Sequence, residues 1–332
     1  MSSRHLEIAC DESGFTGTNM LDPGHELITH AGVHLDQETA AEYAALIRTR
    51  FHRYSATEYK AGQLLRNRIA VEWLLGTLNG QATVHLTDKT YFTVTRLVDL
   101  LIGEPTYAAG TSLALDLRPV ARTLHRAGPV VFGTTRWRAF LDTFVEMMRH
   151  KRYRLIDGPW VAHFLQTLDG MRSERLDPLM QPLRDARPQL FHVLTELQDD
   201  RSPVPPPLEP LIPALFETAR LWTADGSEIT ILHDEQSALT RHRVARVGEL
   251  LKVVSPSPEP LRGMTMLDSR TDPRIQLADL LAGTARYLAT AELRNRADPR
   301  LTALLRPYLA PTSLWSDQTS WQRMTGDLVF RQ

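Results

Sequence analysis

Near the start of the chain an apolar run, Leu6-Glu7-Ile8-Ala9-Cys10, leads directly into Asp11-Glu12-Ser13-Gly14. A carboxylate at the end of a buried strand costs free energy unless something pairs with it. A divalent cation, which takes hard oxygen ligands, is one such partner. The pattern recurs far downstream. Ile229-Thr230-Ile231-Leu232 runs through His233 into Asp234-Glu235, and Asp279 stands alone in the apolar stretch Ile275–Gly283. The set points to a metal-dependent acid site assembled from distant parts of one fold.

Composition narrows the setting. A length of 332 residues suits one large domain or two average ones, and 42% hydrophobic content is ordinary for a globular protein. No uncharged apolar run is long enough to span a bilayer, and no apolar core follows Met1–His5 as a signal peptide requires. The lone Cys10 excludes an intramolecular disulfide and a cysteine-based zinc site, and reads as a small buried hydrophobe. These features point to the cytoplasm, with no membrane partner. The net charge of −1 argues against coating nucleic acid by bulk electrostatics. Local basic patches can still serve a substrate. Arg149-His150-Lys151-Arg152-Tyr153-Arg154 is the denser, with Tyr153 able to stack on a base; Arg241-His242-Arg243 with Arg246 is the other. Taken singly, each also suits a solvated helix face.

The apolar spacing predicts strands at His25–Leu35, Gln81–Thr87 and Glu228–Leu232, with a short edge strand at Gly263–Leu267. Helices are predicted from Asp36 to about Phe51, over Gln63–Leu78, from the Asp234 turn to about Val254, and after the Asp272-Pro273 cap. The middle, Tyr91 to Thr223, is mostly helical in pattern, with Arg96–Ile102, Arg138–Met148 and Val161–Leu168 clearest. Ser202-Pro203-Val204-Pro205-Pro206-Pro207 is an extended break that no helix tolerates, and Leu211–Trp222 resumes as helix.

Asp11-Glu12-Ser13-Gly14, Glu58-Tyr59-Lys60, Leu232-His233-Asp234-Glu235 and Gln276-Leu277-Ala278-Asp279, in that order, resemble the domain of unknown function 3800 family. The resemblance covers roughly 5–90 and 226–290. It implies a ribonuclease H-like fold whose first strand lies centrally, with parallel partners beside it. The expected architecture is therefore α/β: a mixed sheet with flanking helices over 1–92 and 226–332, and a large, mainly helical insertion over 93–225.

Asp11 has the best claim as a site residue, because its apolar neighbours make it hard to solvate; the plainer reading is a polar turn. Glu12 is expected to point away from it, since neighbouring strand residues alternate faces. Asp279 sits among Ile275, Leu280 and Leu281, and is costly there unless it faces a polar site or plain solvent. Gln276, three residues earlier, shares its side of the helix. Asp234 suits both a metal ligand and a helix cap. Asp88 stands at the exit of a strand, where it is a second carboxylate or a turn residue. Glu58 and Lys60 enter only through the resemblance, which implies that both belong to the site, the lysine holding a scissile phosphate.

The expectation is Mg²⁺- or Mn²⁺-dependent hydrolysis of a phosphodiester in DNA or RNA. Asp11, Asp234 and Asp279 would hold the cations, Glu58 and Asp88 would complete the shell, and Lys60 or Lys89 would bind the phosphate. The alternative is a catalytically silent module of the same fold, binding nucleic acid or, through the helical insertion, a protein partner. Hydrolysis of a small phosphate is a third reading.

Overall fold

The computed structural model describes residues 4–15, 17, 19–51, 59–114, 116–149, 156, 158–199 and 201–326. Two strands open the chain, β1 (His5–Ser13) and β2 (Leu27–Val33), followed by helices α1 (Gln37–Phe51), α2 (Ala61–Leu64) and α3 (Arg68–Thr77). Strand β3 (Ala82–Asp88) then gives way to a helical stretch: α4 (Lys89–Ile102), α5 (Arg118–Phe132), α6 (Thr134–Met148), α7 (Pro159–Gly170), α8 (Asp177–Asp185), α9 (Arg187–Glu196) and α10 (Leu211–Trp222). The chain returns to strand in β4 (Glu228–Asp234) and β5 (Leu261–Leu267), separated by α11 (Arg241–Val254). Helices α12 (Pro273–Leu293), α13 (Pro299–Leu305) and α14 (Gln318–Thr325) follow.

The strands form one five-stranded mixed sheet in the order β3-β2-β1-β4-β5. β1 is central. It runs antiparallel to β2 and parallel to β4, which in turn runs parallel to β5. β1 continues through Asp11, Glu12 and Ser13, because the ladder pairs them with Ala31, His30 and Thr29 of β2. The predicted acidic turn is thus a strand end. It stops at Gly14, whose φ of +90° is open to glycine and where a Cβ would lie 2.2 Å from the Leu27 carbonyl oxygen. β4 likewise runs on into Asp234. The outer edge of β3 is covered by the segment after α13, where Ala310 and Leu314 donate backbone N–H groups to Val84 and Leu86 at 2.8 Å each. Covering an edge in this way removes a template for association.

The described residues fall into two compact units. One comprises those within Met1–Phe15, Leu27–Thr87 and Ala214–Arg331; the other, those within Thr16–Glu26 and Asp88–Pro213. The first holds the sheet. On one face α12 packs against β1 and β2, with Leu277, Leu281 and Ala285 buried against Leu27, Ala31 and Val33. α12 is also tied to β2 by the Thr29 hydroxyl, which donates to the Ala282 carbonyl at 2.8 Å. On the other face Gly32 lets α10 approach: a Cβ there would lie 2.9 Å from Thr218 Cγ2. The predicted helix over Gln63–Leu78 is divided in two. The Asn67 side chain accepts from the Ile69 and Ala70 backbone N–H groups and starts α3 afresh.

In the second unit the named elements between 88 and 213 are all helices. Phe140 and Phe144 of α6 pack on Phe164 of α7, with ring centroids 6.0 and 5.8 Å apart. No helix among the described residues is long and apolar enough to cross a membrane.

Candidate functional site

The register fixes which side chains share a face. Ala9 pairs with Leu232 and Asp11 with Ala31, so these four and Asp234 lie on the side that α12 covers. Ala9 and Leu232 bury against Ile275, in the first turn of α12, and Asp279 follows one turn later. β1 and β4 are parallel, so Asp11 and Asp234 stand at the same, carboxyl, end of the sheet, where sites in open α/β sheets form. Asp11 is thereby brought, across more than two hundred residues of chain, within the fields of Asp234 and Asp279.

Asp11 is buried, and its Oδ1 accepts from the Glu12 backbone N–H at 2.7 Å. Burial, then the charges of Glu12, Asp279 and Asp234, push its carboxyl up from 3.8 to about 9. Asp234 Oδ1 accepts from the Ser269 N–H at 3.0 Å, so the loop after β5 closes onto it. Asp279 is half-buried and faces Lys60, whose Nζ lies 3.7 Å from its Oδ2. Gly283, one turn further along α12, makes that approach possible: a Cβ there would lie 2.3 Å from Ala61 Cβ, beside Lys60.

Glu12 is a member that sequence reasoning set aside. Alternation does place it on the face opposite Asp11, level with His30. Near the strand's end, however, its carboxylate still feels the same charges. Burial raises it to about 7, with Asp234 and Asp279 adding to the shift and the Gln236 hydrogen bond opposing it. Gln236 Nε2 donates to Glu12 Oε1 at 2.6 Å, while Oε2 is buried without a hydrogen-bond partner among the described residues. The missed signal is simple: an acid beside a buried acid is itself near the field. Arg286 is a second omission. It stands seven residues after Asp279 on α12, and its Nε donates to the Ser13 hydroxyl at 3.0 Å. The i, i+7 spacing was legible in the sequence.

Asp88 ends β3 and caps α4, its Oδ1 accepting from the Tyr91 N–H at 3.0 Å, and it belongs to the second unit. Lys89 beside it is buried. Glu58 lies outside the described residues, as do His150 to Arg154 of the basic run. Gln276 is half-buried on α12, and Glu235 is exposed.

His233 bonds both locally and across the sheet. Its Nδ1 lies 2.9 Å from the Asp234 carbonyl oxygen, and its Nε2 lies 3.2 Å from Nε2 of His30.

Among the described residues, no three His, Cys, Asp or Glu side chains form a group that could hold a metal ion as they stand. The donor chemistry nonetheless fits a hard divalent cation. The donors are carboxylate oxygens, burial and then the neighbouring carboxylates push Asp11 up to about 9, and among the described residues Glu12 presents a buried oxygen without a hydrogen-bond partner. Side-chain rotation would be needed to close a shell. Comparison of the chain with protein-family models, curated proteins and solved structures gave no match.

Proposed function

We propose that the chain is a ribonuclease H-like hydrolase of nucleic-acid phosphodiesters, related to the domain of unknown function 3800 family and dependent on Mg²⁺ or Mn²⁺. The carrying observation is Asp11. It is a buried carboxyl on the central strand, pushed up to about 9 by burial and by the charges of Glu12, Asp279 and Asp234. Crowded carboxylates are costly to keep for stability alone. A cation supplies the opposing charge that lets them ionise at neutral pH.

The central β1 with its parallel neighbour β4 supports the fold assignment. Asp11, Asp234 and Asp279 would hold the cation. Bound there, it would polarise a phosphoryl oxygen and lower the pKa of a bound water. Lys60 fits a phosphate-binding role. Its side chain is 57% exposed, and an ion pair that open stabilises little, so the ammonium can turn from Asp279 to a substrate. Glu58 is the remaining candidate for the shell, and the second unit is the candidate surface for nucleic acid or a protein partner.

The test is incubation of purified protein with labelled DNA and RNA, single- and double-stranded, with Mn²⁺, Mg²⁺ or EDTA. Cleavage should require the cation and should fall to background in Asp11→Asn. Metal-independent cleavage, or equal cleavage by the variant, would remove the acids from the chemistry. Binding without any cleavage would favour the catalytically silent module instead.

A further inference from the structure

The face of the sheet opposite Asp11 carries a line of buried polar side chains. Thr218 of α10 brings its Oγ1 to 2.9 Å from Nδ1 of His30 on β2. His30 Nε2 lies 3.2 Å from Nε2 of His233 on β4, across β1. His233 Nδ1 lies 2.9 Å from the carbonyl oxygen of Asp234. Both imidazoles are fully buried, and Thr218 is 1% exposed.

The chemistry of the last contact orders the rest. A peptide carbonyl only accepts, so His233 Nδ1 carries a proton. In a neutral ring its Nε2 is then bare. Two N–H groups cannot face each other at hydrogen-bond distance, so the proton of the central contact sits on His30 Nε2. His30 Nδ1 is then the acceptor, and the Thr218 hydroxyl donates to it. Neither ring is in an ion pair among the described residues, and full burial favours the uncharged form. Every donor meets an acceptor, and the bonds run one way, from α10 through β2 to the end of β4.

We infer that His30 and His233 are positioning residues, whose one-way relay from Thr218 pins the backbone at the end of β4 and thereby fixes the Asp234 carboxylate beside Asp11. The inference rests on the metal-dependent reading of the acids. Asp234 is then held twice, by the relay on its carbonyl and by the Ser269 N–H on its Oδ1. Groups that orient a ligand from behind commonly matter to metal affinity by about 10–100-fold.

The first measurement is ¹⁵N NMR of histidine side chains in the metal-free, full-length protein near pH 7. His30 should appear as the Nε2–H tautomer and His233 as the Nδ1–H tautomer. The reverse pattern, or a doubly protonated ring, overturns the relay. The second is Mn²⁺ affinity, read from paramagnetic broadening. His233→Leu should weaken it about tenfold or more. His233→Asn, whose amide N–H can replace the Nδ1 donor, should stay close to wild type. Equal affinities for His233→Leu and wild type, or equal losses in both variants, overturn the positioning role. A wild type that takes up no Mn²⁺ defeats the metal reading itself, and the tautomers then still decide whether the relay exists.

Discussion

Asp11 is a carboxyl that the fold keeps from ionising, and this has a sign that can be measured. Its ordinary value is 3.8 and its folded value about 9, so between those limits the folded protein holds a proton that the unfolded chain has released. Stability is then complete below about pH 4 and falls as pH rises towards 9. Asp11→Asn removes this dependence while keeping an oxygen for the Glu12 N–H. In EDTA at pH 7 the variant should be more stable than wild type by at least ~1.4 kcal/mol, the worth of one pKa unit. Urea unfolding from pH 4 to 9 checks it. The wild-type curve should slope downwards and the variant's should flatten, keeping only the part due to Glu12, which rises to about 7. Parallel curves would show that Asp11 ionises freely in the fold. The burial of Asp11 was legible in the sequence, because apolar residues lead up to it. Glu12 was not: strand alternation describes where a side chain points, whereas charge acts through the strand.

Helix α12 shows why the elements were easier to find than their ends. Asp272-Pro273 marked its start, and Asp272 does cap it, accepting from the Arg274 N–H at 2.8 Å. The sheet's ladder, by contrast, carries β1 and β4 past the last apolar residue, because backbone pairing ignores side-chain polarity. Gly283 of α12 admits Ala61 of α2. Two opposing terms decide what Gly283→Ala would do. Alanine favours a helix over glycine by about 1 kcal/mol. Against this, its Cβ would meet the short, rigid Ala61 side chain at 2.3 Å, and overpacking of this kind costs about 1–3 kcal/mol. The variant should therefore lose stability, and α2 should be pushed from α12, taking Lys60 away from Asp279. Thermal melts and the chemical shift of the Lys60 ammonium report the two effects. A stabilised variant would mean that helix propensity, not close packing, governs this contact.

At the scale of the whole molecule, what the sequence hid was mostly helical and mostly behind prolines. α5 contains Pro129 and α8 contains Pro182, inside helices where the residue normally argues a break. The proline in the first turn of α9 is favourable there, yet in a bare sequence it reads as punctuation. The histidine line was hidden for a different reason. Its bonds join residues 188 and 203 positions apart, and no local pattern encodes them. Charge, by contrast, is fully legible at this scale, and it yields a prediction that needs no placement of side chains. With a net charge of −1 the molecule as a whole does not attract a polyanion, so any nucleic-acid affinity must come from local cations. The run from Arg149 to Arg154 is the densest candidate. Each phosphate contact contributes about −0.9 to the slope of log affinity against log salt for duplex DNA, and about −0.7 for single strands. If Lys151 and Arg152 each hold one phosphate, Lys151→Glu with Arg152→Glu should weaken binding at low salt. It should also make the slope shallower by about 1.4–1.8. Fluorescence anisotropy across a salt titration measures both. A weaker affinity with an unchanged slope would point to repulsion without lost contacts. An unchanged affinity would leave the run as a solvated surface and turn attention to Arg241, Arg243 and Arg246 on α11.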